Sequence, residues 1–74
     1  MPTIKHAINV AELQLQKAIA DQNIFKNLCL CFAYFYDDTL AQVQGDGYSD
    51  EFSEMVAEYF GELFNEHFKT DFIF

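Results

Sequence analysis

The sequence predicts an α+β domain: two amphipathic helices packed on a short antiparallel hairpin, in the order α-β-β-α, with a last short strand at the tail. Three observations lead there. Apolar residues recur at helical spacing over 4–21 and again over 49–67. Between these segments, Leu28, Leu30, Phe32, Tyr34 and Tyr36 alternate with Cys29, Cys31, Ala33 and Phe35, as in an aromatic-rich strand buried on both faces. Asp37-Asp38 then fall where a turn would sit, because short acidic side chains bond their own backbone more readily in turns than inside helices. An all-α three-helix bundle is the alternative. At 74 residues the chain has the length of a single domain, 1–74.

The first helix is expected over 4–21. At ~100° per residue, Ile4, Ala7, Ile8, Ala11, Leu15, Ala18 and Ile19 fall within one arc about 120° wide. Thr3 suits its N-cap, and Asp21, Gln22 and Asn23 its end. The hairpin follows, with strands over 28–36 and 39–44. In the rival reading a helix runs over 24–44, capped by Asn23 and stopped by Gly45. Its stripe is Ile24, Leu28, Cys31, Phe32, Phe35 and Tyr36, which leaves Leu30 and Tyr34 outside. Gly45-Asp46-Gly47 is the strongest turn signal in the chain. The last helix, 49–67, takes Ser49 as N-cap and places Asp50 and Glu51 in its first turn, where the helix dipole favours negative charge. Its stripe is Phe52, Met55, Val56, Tyr59, Phe60, Leu63 and Phe64, with Gly61 opposite. The third strand would run through Phe72 and Phe74.

Nine Phe and four Tyr make up 18% of the chain, which excludes a disordered segment. So short a chain cannot easily enclose that many rings, so apolar surface is expected to remain for a partner or a second copy. Tyr34, Phe35 and Tyr36, with Phe72 and Phe74, are the candidate anchors of a homodimer. Cys29 and Cys31 are too close in sequence for an unstrained disulfide. They read as small hydrophobes in a reducing cytoplasm. Joined to His6 and His67 they would make a poor metal site, since structural zinc sites space cysteines more widely. No metal or cofactor is expected. The N-terminus carries no signal-peptide pattern, and the apolar run 28–36 is too short to span a bilayer, so a cytoplasmic, membrane-free protein is expected.

Charge gives the functional lead. Twelve acids stand against four basic residues, all Lys, for a net charge of −8. That excludes direct binding to nucleic acid phosphate or anionic lipid. The imbalance is concentrated: residues 37–74 hold ten acids and a single Lys. Glu54, Glu58, Glu62 and Glu66 recur every fourth residue, so a helix sets them in one row. Asp46, Asp50 and Glu51 extend that row toward the helix start. Surface helices ordinarily alternate Glu with Lys at this spacing, and like charges there cost ~0.2–0.5 kcal/mol per pair. Four residues rise ~6 Å, comparable to the step between phosphates of one DNA strand.

The row is therefore expected to face the basic surface of a protein that otherwise binds nucleic acid, as an inhibitor of anti-CRISPR or anti-restriction type would. The alternative is a dimerisation or adaptor module whose acids only keep it soluble. No enzyme is expected. Asp37-Asp38 are explained by a turn, His6 and His67 are distant in sequence, and Ser49 and Ser53 have no base beside them. The acidic Gly45-Asp46-Gly47 would repel phosphate.

Overall fold

Three helices and an irregular tail make up the described residues, 4–21 and 26–74, of a computed structural model. The helices are α1 (Ile4–Asp21), α2 (Leu28–Gly45) and α3 (Asp50–Phe68). Among the described residues there is no strand. The expected α+β architecture, its hairpin and its last strand are therefore wrong, and the alternative bundle is the fold. Thr3, Gln22, Asn23 and Ile24, named above for caps and helix ends, lie outside the described residues.

The middle segment is helical straight through Asp37 and Asp38. Its N-cap is Asn27, whose side chain accepts from Leu30 N at 2.8 Å. Its buried positions, Cys31, Phe32, Phe35, Thr39 and Val43, follow a helical period. Leu30 and Tyr34 are more than half exposed, which a strand facing the core through Leu28, Leu30, Phe32, Tyr34 and Tyr36 could not allow. Asp38 escapes the turn role because its carboxylate has partners elsewhere. Gln14 Nε2 on α1 donates to Oδ2 at 2.7 Å, and Gln42 Nε2 one turn along donates to the same oxygen at 3.0 Å. Thr39 is likewise accommodated, its hydroxyl donating to Phe35 O at 2.7 Å. The true turn is 46–49, where Gly47 takes φ 98°.

The core is aromatic at its centre and small at its edge. Phe60 and Phe64 of α3 are fully buried, and Phe32 and Phe35 of α2 nearly so. Phe32 meets Phe64 edge-on at 5.2 Å between centroids. Against them α1 turns Ala7, Ala11 and Ala18, all at zero exposure, so its backbone can approach closely. Residue pairing fixes the direction of the helices. Ile4 and Ile8 lie beside Phe52 and Val56, and Leu15 beside Leu63 and His67, so α1 and α3 run parallel with α2 between them in the opposite sense.

Two expected stripes are rotated. α1 buries Val10 and Gln14 beside its alanines, while Ile4 is 66% exposed and Ile8 38%. α3 buries Ser53, Ala57 and Gly61, while Met55 is 64% exposed. Gly61 is thus in the packed face, not opposite it, and the reason is the tail.

After α3 the chain reverses at Lys69, in the left-handed region at φ 57°. Asn65 holds the return: Oδ1 accepts from Thr70 Oγ1 at 2.7 Å and Phe72 N at 3.1 Å, and Nδ2 donates to Phe72 O at 3.1 Å. Phe72 and Phe74 are thereby laid on Phe32, at 5.0 and 5.9 Å. The tail covers the α2/α3 groove as irregular chain, without the ladder expected of it.

Candidate functional site

The solvent side of α3 carries the acids. Ser49 starts the helix by accepting from Phe52 N at 3.2 Å, which fixes the register of everything after it. In that register Glu54, Glu58, Glu62 and Glu66 are all exposed, as are Asp50 and Glu51 in the first turn. None of the four row glutamates forms a salt bridge among the described residues. Asp46 is the C-cap of α2. Its Oδ2 lies 2.8 Å from His6 Nε2, a contact that is ionic only when His6 is protonated. Asp50 accepts from Gln44 Nε2 at 3.1 Å, which ties the α2/α3 turn together.

A row at four-residue spacing is not straight. Each step of four residues turns ~40° past a full revolution, so the four glutamates wind around the helix. Glu54 and Glu58 face the α2 side. Burial first, and then Glu58, Glu54 and Asp37, push the Tyr36 phenol above its ordinary ionisation range. Glu66 has wound to the other side, where it lines a cleft with Leu15, Leu63, His67 and Lys69. The acidic surface is therefore a ridge between two grooves. Asp37 of α2 belongs to it, which sequence reasoning missed because a turn was assigned there.

The candidate dimer anchors are scattered. Phe35 is in the core, Tyr36 is half-buried beside the tail, Phe72 of the tail is half-buried on Phe32, Phe74 is 43% exposed and Tyr34 56%. Tyr34 packs edge-on against Phe35 at 5.0 Å. Cys29 is exposed, whereas Cys31 is buried with Sγ 3.8 Å from Ala18 O. Burial, then Asp21, raises the Cys31 thiol and keeps it protonated. Among the described residues no group of three His, Cys, Asp or Glu is placed to hold a metal ion. No described helix is long and apolar enough to cross a membrane.

Comparison with family models, with curated proteins and with solved structures finds no match.

Proposed function

We propose that the chain is a non-catalytic binding protein whose α3 ridge presents carboxylates to a basic protein groove that otherwise holds nucleic acid. The observation that supports it is the row Glu54, Glu58, Glu62 and Glu66, fully displayed and without a salt bridge among the described residues. Folding gains nothing from the row, since successive like charges repel. The helical winding strengthens the comparison with a nucleic acid strand, whose phosphates also wind about an axis as they rise. Asp50 and Glu51 continue the ridge to the helix start, and Asp37 widens it across α2.

The test replaces Glu54, Glu58 and Glu62 together by Gln, which keeps shape and helix propensity. The variant should fold as the parent does. Pull-down from a lysate should recover a nucleic-acid-binding protein with the parent and lose it with the variant. Added DNA or RNA should displace the parent from it, and the interaction should weaken steeply with salt. Undiminished recovery by the variant overturns the mimicry reading and leaves the ridge as a solvating face.

A further inference from the structure

A three-helix bundle has three grooves, and here each is finished differently. The α1/α2 groove is polar, closed by Gln14, Asp38 and Gln42. The α2/α3 groove is filled by the chain itself, through Phe72 and Phe74. Among the described residues the α1/α3 groove is open, and it is apolar at the start of the two helices. Over its first two turns it forms a trough of about 320 Å³ lined by Ile4, Ile8, Phe52, Met55, Val56 and Tyr59. Ile4 and Met55 are each about two-thirds exposed at 66% and 64%. The cleft beside Leu15 and Leu63 continues it along the same pair of parallel helices. Ile4, Ile8, Met55 and Tyr59, whose spacing marks them as core in the sequence, stay exposed along the trough, while Val56 at its floor is buried.

The rim identifies the occupant. At ~100° per residue, Glu51, Glu62 and Glu66 fall on the same side of α3 as Met55 and Tyr59. Glu66 is in the wall of the continuing cleft beside His67 and Lys69, so the acidic rim is the α3 side of the trough over Glu51 and Glu62. A second copy of this chain would bring another net charge of −8 and the same acidic rim to a self-complementary contact. A helix with lysine or arginine flanking an apolar stripe would match both the trough and its rim, with the i,i+4 ridges of α1 and α3 to pack against. We propose that the α1/α3 groove binds a basic amphipathic helix of a partner protein, as the fourth helix of the bundle. The proposal uses the acids of α3 but does not require that the partner bind nucleic acid.

The probe is a synthetic helical peptide of about five turns with leucines on one face and lysines on the other, beside a counterpart with glutamates in place of lysines. The full chain should bind the lysine peptide, with the largest amide and methyl shifts at Ile4, Ile8, Met55 and Tyr59. The glutamate peptide should not bind measurably. Replacing the exposed Ile8 and Met55 by Ser should weaken lysine-peptide binding about tenfold or more, the factor that ~1.4 kcal/mol of lost contact represents, with helical circular dichroism unchanged. The Glu54→Gln, Glu58→Gln variant, altered on the α2 side, should bind it nearly as the parent does.

Equal binding by the Ser variant, shifts confined to the Glu54 and Glu58 side, or equal binding of the two peptides would each overturn the proposal. So would a parent dimer in sedimentation that the Ser substitutions dissociate, since the groove would then belong to a second copy. Loss of nucleic acid competition with peptide binding intact would sink the mimicry reading alone. The reverse pattern would sink this one alone.

Discussion

The Phe74 ring stands on Gly61: a Cβ at Gly61 would lie 2.8 Å from Phe74 Cε1 and 3.0 Å from Cδ1 and Cζ. Glycine here has a packing reason, since it gives the returning tail a seat on α3. Two effects oppose each other at the position. Alanine would gain ~1 kcal/mol of helix propensity, and it would push the ring off. Because the Phe74 ring is partly exposed, it can swing away, at the loss of its contacts with Phe32 and Tyr36. Gly61→Ala should therefore stabilise the protein less than it does in a Phe74→Ala background, where the full ~1 kcal/mol should appear. Urea denaturation of the four proteins gives the coupling. Equal gains in both backgrounds would mean that the ring does not depend on the glycine.

Asn65 is the clamp behind that seat. Its amide makes three tail bonds, two accepted and one donated. Asn65→Ala should cost about 1 kcal/mol, since its tail partners are only part-buried and water can replace the lost bonds in part. Exchange of the Phe72 amide should rise more than that of amides in the middle of α1. Asn65→Asp keeps the acceptor and loses the donor to Phe72 O, so it should fall between parent and alanine variant. Thermal unfolding and amide exchange together check the order; an alanine variant as stable as the parent would show that the tail is held by its rings alone.

Periodicity made two of the three helices readable, and it failed where every face was apolar. Over 28–36 a strand alternation and a helix stripe fit the same residues, because Leu30 and Tyr34 are large and apolar although exposed. At the deciding residue, Asp38, local propensity points to a turn, because its partner Gln14 is 24 positions away and propensity does not register a tertiary hydrogen bond. The stripes of α1 and α3 were misplaced for a related reason. The sequence marks all apolar positions alike, both those that face α2 and those that line the open α1/α3 groove. Small residues in contact, Ala7, Ala57 and Gly61, carry little hydrophobic signal yet set how closely the helices approach. The acidic row needed only a four-residue spacing and was read correctly as exposed. Its winding past Tyr36 on one side and Leu63 on the other required the bundle.

Gln14 gives a stability test of the polar groove. It is 1% exposed, its Nε2 is bonded to Asp38, and its Oε1 has no hydrogen-bond partner among the described residues. A buried unpaired carbonyl costs about 1–3 kcal/mol, whereas a satisfied bond contributes about 1 kcal/mol net. Asp38 is only half-buried and keeps Gln42 and water when Gln14 is lost. Gln14→Met, close in volume and without polar atoms to satisfy, should raise stability by about 1 kcal/mol. Chemical denaturation checks the sign. A loss of stability would mean that the Gln14–Asp38 bond outweighs the unpaired oxygen.

The ridge itself can be probed through Tyr36. Burial first, and then the fields of Glu58, Glu54 and Asp37, raise its phenol above 10.0. A raised phenol means that the folded protein prefers the neutral form. The associated stability is fully present below the ordinary tyrosine range and is lost as pH climbs through the raised value. Tyr48 is also raised, by desolvation and then by Asp46, so Tyr36 and Tyr48 should ionise late in an absorbance titration. Tyr36→Phe should remove one late component and soften the loss of stability at alkaline pH. In the Glu54→Gln, Glu58→Gln variant the Tyr36 component should move toward its ordinary value while that of Tyr48, beside Asp46, stays. Salt should reduce the difference between parent and variant, because only the charge contribution is screened and burial is not. If the double substitution leaves the Tyr36 titration unchanged, Glu54 and Glu58 do not lean over α2, and the ridge is narrower than the structure draws it.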